Sequence, residues 1–436
     1  MHVIYDNPLP TEWLEEPLGS LVETRRGCSW SKEQERDRPA EGTISVIRIP
    51  NIQSSLDLTD LLHIDGLSAE QRTSSAVTKG WTLLVGSNGN PKRIGDSVLM
   101  EVDREMIFAS FLFALRPKPA EAKITDEFIA CWLQAHRIHE FISETSQMTT
   151  GLANISWSAC RKLPVRFPKR EDEQARVAET LQAADDDIRA LEEQIRKAER
   201  VKKALLQSIF VGGIPGRRKT PQTFRWGVAP DGWAENSIRG IITEPVGNGT
   251  SPDAARQEPP GFPTLNVSSI RNGRCDQTMI SYIELPEKAA AAFAVEQGDF
   301  FVLRGNGNRD FVAMGGLLVE EPQPGLVFSD LLIRLRFDKS KALPEFMKYL
   351  WQSPPFLRRL QSYAVTGSGL WKIGQRSISR MTLAVPPDTS EQKDIAAIFD
   401  VQEKLLLSLG IQLTAARRVK QSLLQNLLTG KIRLKP

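Results

Sequence analysis

Cysteine is scarce in this chain, and its spacing excludes the usual structural uses. Cys28, Cys131, Cys160 and Cys275 stand far apart, and no C-x-x-C pair occurs. A disulfide framework or zinc module is therefore not expected, and a reducing, cytoplasmic setting is. No apolar run reaches 18 residues, so no membrane-spanning helix is expected. Met1 to Pro10 lacks a basic start followed by an apolar stretch and does not read as a signal peptide. No G-x-x-x-x-G-K-[ST] loop is present, so nucleotide hydrolysis has no motif here. A strong charge of either sign is also missing. The 56 Lys and Arg against 53 Asp and Glu leave +3, which permits a nucleic-acid partner without requiring one. What remains is a soluble chain of 436 residues, 41% hydrophobic, with length for about two to four domains.

What the chain has is repetition. Gly151-Leu152 reappears at Gly369-Leu370, an offset of 218 residues. Glu173-Gln174 reappears as Glu391-Gln392, Glu127-Phe128 as Glu345-Phe346, and Asn88-Gly89-Asn90 as Asn306-Gly307-Asn308. The run Arg200 to Gln207 reappears as Arg418 to Gln425. Solenoid units are about 20–50 residues, so this is a duplicated domain pair. A duplicated pair suits a target with two related halves.

Each copy begins with an irregular, β-leaning region entered by Pro-x-x-Trp (Pro10 to Trp13, Pro230 to Trp233). Strands are expected near Thr43–Ile49, Trp81–Val85, Phe300–Leu303 and Leu331–Phe337, between turn-forming residues. A shorter helix is expected over Thr125–Ile142 and Leu343–Leu360, then a long one. The long-helix seam in copy one runs Val177, Leu181, Ala184, Ile188, Leu191, Ile195, Ala198, Val201, Leu205, Ile209. Copy two repeats it at Ile395, Phe399, Gln402, Leu406, Leu409, Leu413, Ala416, Val419, Leu423, Leu427. This is a heptad seam with one irregularity near Val201. Thr389-x-x-Gln392 reads as a capping box, and Gly212 and Gly430 stand where the helices should stop. Gly410 predicts a local weakness in the second helix, not a break.

The two seams should pair with each other. About 20 residues separate Gly212 from Trp233. Returning along a helix of roughly 60 Å would nearly exhaust that segment, so an antiparallel pairing is expected. The expected architecture is α+β: two pseudo-two-fold-related, β-containing domains separated by an antiparallel coiled coil. The boundaries fall at 1–170, 171–212, 213–388 and 389–436. Leu206 and Leu424, beside Leu205 and Leu423, exceed what one seam needs, which points to a protein partner on the helices.

Catalytic signatures fail on inspection. Val385-Pro386-Pro387-Asp388 lacks both the amide before the prolines and the aromatic after them that an amino-methyltransferase loop carries. Its place matches Phe167-Pro168, so it is a connector. His136-x-x-His139 has helical spacing but no third ligand, and copy two lacks the pair. No catalytic residue, metal or cofactor is expected. The Asn-Gly-Asn segments follow β runs and resemble tight turns. Cations lie beside them: Lys92 and Arg93 in copy one, Arg304 and Arg309 in copy two. Asn and Arg read adenine and guanine edges, so Asn88, Asn90, Lys92, Arg93, Arg304, Asn306, Asn308 and Arg309 are the DNA-contact candidates. Arg161, Lys162, Arg166, Lys169 and Arg170, before the first long helix, offer phosphate or partner contact.

The tandem arrangement resembles the specificity subunit of type I restriction–modification systems. The helix tails Val201–Gly212 and Val419–Gly430 with Lys431-Ile432-Arg433-Leu434 carry the resemblance. So do the Glu-Gln helix openings and the strand-and-Asn segment Gly298–Asn308. Copy one departs from that segment, with Ser87-Asn88 for Gly305-Asn306 and no match to Arg304. The resemblance implies a non-catalytic subunit that reads double-stranded DNA. Its partners would be two adenine-methylating modification subunits and ATP-driven restriction subunits. A self-sufficient DNA-modifying enzyme and a coiled-coil adaptor with protein-binding β modules are the rival readings.

Overall fold

The computed structural model describes residues 4–53, 55–119, 123–149, 151–217, 219–251, 255–367 and 369–434. It forms two units, Met1–Glu193 with Gly410–Pro436, and Gln194–Leu409. The long helices run over Glu171–Gly212 and Thr389–Leu427, and each contributes one half to each unit. Gly410 leaves the second helix unbroken.

Within each unit the two helix segments are antiparallel. In the first unit Asp185 accepts from Lys420 at 2.5 Å and Glu192 from Arg417 at 2.8 Å. In the second, Glu403 pairs with Lys202 at 3.1 Å and Glu391 with Lys219 at 2.8 Å. The Asp185–Lys420 and Glu403–Lys202 pairs are one contact made twice, with both partners shifted by 218. In the first unit Val177, Leu181 and Ile188 are buried, and in the second Phe399 and Leu409 are. Leu191, Ile195, Leu406 and Leu413 are half-buried.

The seam departs from expectation at its irregularity. Val201 and Val419 are 49% and 56% exposed. Lys202 and Lys420 turn inward in their place, followed by Leu206 and Leu424, which enter the domain cores. An undistorted helix drifts against a strict heptad. That drift rotates the lysines onto the inner face, where the opposing carboxylates neutralise them.

The first domain carries a five-stranded sheet, a four-stranded sheet and a three-stranded sheet. The four-stranded sheet orders Val22–Arg26, Leu112–Pro117, Thr82–Val85 and Ser97–Leu99. In the second domain a six-stranded sheet centres on Phe300–Leu303. Its side chains alternate between two cores, as a strand's two-residue period requires. Phe300 and Val302 meet Phe346 and Trp351, while Phe301 and Leu303 meet Phe328 and Leu265.

Two local expectations are corrected. The shorter helices are broken, into Asp126–Gln134 and His136–Glu144, and into Pro344–Gln352 and Pro354–Gln361. The breaks fall at Ala135 and Ser353, both extended. Pro354 biases Ser353 out of the helical region. Ala135 adopts the same geometry without a proline, and the second piece thereby buries Ile138 and Ile142. Gln392 makes no capping box, because its amide is spent elsewhere; Asp388 Oδ1 accepts from Ser390 N instead. The first helix ends at Gly212, as expected, and Gly213 (φ 79°) takes the left-handed turn after it.

Candidate nucleic-acid interface

Each domain is tied to its helix by a repeated latch. In copy one the Trp13 indole donates to Glu173 at 3.3 Å, and Gln174 accepts from Thr125 N and donates to the carbonyls of Lys123 and Pro168. In copy two Trp233 donates to Glu391 at 3.1 Å, and Gln392 accepts from Leu343 N and donates to Lys341 and Pro386. Burial makes each bond costly to lose. Glu173 also takes two bonds from Arg433, which holds its carboxyl below the usual range; burial opposes this and the Trp13 indole assists.

On this frame each domain presents the same turn. Asn88 Oδ1 accepts from Asn90 N at 2.8 Å, and Asn90 Oδ1 from Lys92 N at 3.1 Å. Asn306 Oδ1 accepts from Asn308 N at 2.8 Å, and Asn308 Oδ1 from Asp310 N at 2.9 Å. The asparagine oxygens thus build the turn, as short amide side chains do. Gly89, Asn90, Gly307 and Asn308 are exposed at the tip. Both turns leave a three-stranded sheet, in which Asn88 faces Ala153 and Asn306 faces Trp371 on the middle strand.

The surroundings differ between copies. Lys92 is exposed. Arg93 is held below the tip by Asp96 at 2.9 Å and the Ile52 carbonyl at 2.6 Å. His139 meets Asp96 at 3.1 Å. Burial raises the Asp96 pKa, but the His139 and Arg93 contacts outweigh it and the net shift is downward. The side chain of His136 lies outside the described residues. At the matching places copy two has Phe311, Met314 and Leu357, with Phe311 49% exposed. Arg309 is exposed and sits over the Trp371 ring at 5.1 Å. Arg304 bonds the Asp330 carbonyl at 3.2 Å. Of the candidates, Asn90, Lys92, Asn308 and Arg309 are exposed; Arg93 and Arg304 are half-buried and bonded to their own domains.

Sequence reasoning missed one cationic feature. Arg239, Arg376 and Arg380 line one open groove of the second unit with Gln375 and Glu244. Their separation in sequence hid them.

Nothing among the described residues forms a metal-holding cluster of His, Cys, Asp and Glu. All four cysteines are free. Burial pushes the Cys131 and Cys160 thiols up to about 12, far from the range of a reactive thiolate. No helix among the described residues is long and apolar enough to cross a membrane. Along the second long helix Val401, Leu405, Leu407 and Ile411 are 45–66% exposed. The first long helix carries Ala183, Asp187, Arg189 and Glu193 at the matching positions.

The fold is a duplicated α+β protein, with two β-rich domains and two long helices paired antiparallel. It is found in solved type I restriction–modification chains. The S subunit of M. genitalium aligns over 97% of both chains, with a TM-score of 0.57 and 14% identity. A chain solved for complex assembly and conformational transition of the type I R-M system aligns over 98% of this chain and 100% of its own, with a TM-score of 0.60 and 15% identity. Residues 10–200 match the family model for the type I restriction modification DNA specificity domain. The type I restriction enzyme EcoKI specificity subunit of Escherichia coli K12 is 26% identical, covering 97% of this chain and 90% of its own. The StySPI specificity subunit of Salmonella potsdam is 24% identical, with the same coverages. Along nearly its whole length the chain is thus similar to type I restriction–modification specificity subunits.

Proposed function

We propose that this chain reads an asymmetric, two-part site on duplex DNA and carries no catalytic step itself. The observation that carries this reading is the turn presented twice. One exposed Asn-Gly-Asn tip stands on one sheet geometry in both domains, with different side chains around it. A shared scaffold with changed surroundings suits two half-sites of different sequence. Domains 1–170 and 213–388 are the readers. Phosphate contacts fix each domain on the duplex, and side chains reaching base edges select sequence. Asn90, Lys92, Asn308 and Arg309 are the leading contact residues because they are exposed.

The helices 171–212 and 389–436 are the spacer. The first has 42 helical residues, about 63 Å at 1.5 Å per residue. One duplex turn is about 34 Å, so such a spacer suits half-sites one to two turns apart. Modification subunits dock on the helices, with the exposed Val401, Leu405, Leu407 and Ile411 as contact positions. Methylation and ATP-driven restriction reside in those and other partner subunits. The test is a genome-wide map of methylated adenines in cells with and without the gene. A two-part motif that vanishes with the gene supports the reading; an unchanged map sinks it.

A further inference from the structure

The second unit contains a cationic groove away from the Asn-Gly-Asn tip. It is an open groove of about 600 Å³ whose lining includes Arg239, Glu244, Gln375, Arg376 and Arg380 with Ile242 and Val246. Arg239, Arg376 and Arg380 are exposed, and no carboxylate among the described residues engages them. The groove's one acid is already neutralised: Glu244 meets Arg336 at 3.0 Å and Arg334 at 3.4 Å. Arg376 and Arg380 are one helical turn apart on Gln375–Arg380, so both point the same way. Arg239 comes from the turn Ile238–Gly240, held against that helix by Ile238 N donating to the Met381 carbonyl at 2.9 Å.

Two further observations tie the groove to the recognition turn. The helix Gln375–Arg380 begins three residues after Lys372, which pairs with Gly305 in the strand leading into Asn306. Gln375 also donates to Asn248 Oδ1 at 2.8 Å, fixing the groove's lip. The first unit repeats the junction: Leu18 N donates to Leu163 O and Gly19 N to Arg161 O. There too two exposed cations stand at the junction, Arg161 and Lys162. A cationic junction rebuilt from different residues in two copies points to a shared anionic ligand.

We propose that this groove takes the phosphodiester backbone of duplex DNA, with Arg239, Arg376 and Arg380 as positioning residues for the second domain. This rests on the reading of the chain as a DNA-specificity subunit. Guanidinium forks suit phosphate oxygens, and such contacts set register without carrying sequence information.

The test uses the full chain assembled with its modification subunits. Two duplexes of equal length serve as probes: one with the mapped motif, one with that motif scrambled. Binding of each is measured across a salt series. The triple variant Arg239→Ala, Arg376→Ala, Arg380→Ala is compared with wild type and with the triple Lys variant, which keeps the charge. The Ala variant should weaken both duplexes by the same factor. Its log K against log salt slope should be shallower by about 0.9 per phosphate lost, so by about 2–3. The Lys variant should keep most of the slope, which shows that the domain still folds. Three results overturn the proposal while leaving the DNA reading intact. One is a wild-type slope and affinity in the Ala variant. Another is a loss confined to one base position. The third is release of the modification subunits with the slope unchanged. Absence of salt-dependent duplex binding by the wild-type assembly instead removes the reading on which the proposal rests.

Discussion

Replacing Gln392 with alanine should damage the second unit more than any exposed substitution on the same helix. Gln392 is fully buried. Its oxygen accepts from Leu343 N at 2.8 Å, and its nitrogen donates to Lys341 O and Pro386 O at 2.8 and 2.9 Å. Truncation orphans one backbone donor, about 1–3 kcal/mol, and removes two further bonds of about 0.5–1.5 kcal/mol each. A total of about 2–6 kcal/mol is expected. A domain of this size loses about 2–4 °C in Tm per kcal/mol, which gives a fall on the order of 10 °C. Differential scanning calorimetry of the variant, with the exposed Lys404→Ala on the same helix as control, measures it. Gln392→Glu should be at least as harmful, because it sets an oxygen against two carbonyls. A Gln392→Ala Tm within about 2 °C of wild type would refute the reasoning.

Two further outcomes follow from buried charge. Lys348 is 3% exposed and meets Glu403 at 2.6 Å, while Lys202 and Arg274 also reach Glu403 at 3.1 Å. Glu403→Ala should therefore cost up to about 3–5 kcal/mol, because it leaves the buried Lys348 only the Tyr349 hydroxyl at 2.9 Å and Asp400 at 3.9 Å. Lys348→Met should cost less, since Glu403 keeps two cations and copy one carries Ala130 at that place; chemical denaturation giving the reverse order would contradict this. Glu173 has its pKa depressed by Arg433, so its stabilising contribution is present above its ordinary value near 4.5 and is lost as pH falls through the lower folded value. In Arg433→Gln, only the Trp13 indole and Arg176 are left to oppose burial, and acid unfolding followed by circular dichroism should begin at higher pH than in wild type. An unmoved acid midpoint would remove Arg433 from the account.

The repeat made much of this architecture legible, because residues held at one offset carry one role. Trp13, Glu173 and Gln174 stood out with their counterparts, but their partnership did not. Trp13 and Glu173 lie 160 positions apart, and no local pattern joins them. The seam was readable where apolar residues mark it and misread where they do not. An apolar criterion selects Val201 and Val419, whereas the helix turns Lys202 and Lys420 inward onto Glu403 and Asp185. The break at Ser353 had a sequence cause in Pro354, while the matching break at Ala135 had none. The Asn-Gly-Asn turns were recognisable from composition. That Arg93 is bonded within its own domain depended on Asp96 and a distant carbonyl at Ile52. The arginine groove was invisible because Arg239 joins Arg376 only through the fold.

The central claim is that the helices form a fixed frame for two independent readers of DNA. Insertion of four residues into both long helices, followed by mapping of methylated adenines, tests it most directly. The account predicts the same two half-sites separated by a longer run of unread base pairs. Unchanged spacing, or altered half-sites at the old spacing, would contradict it.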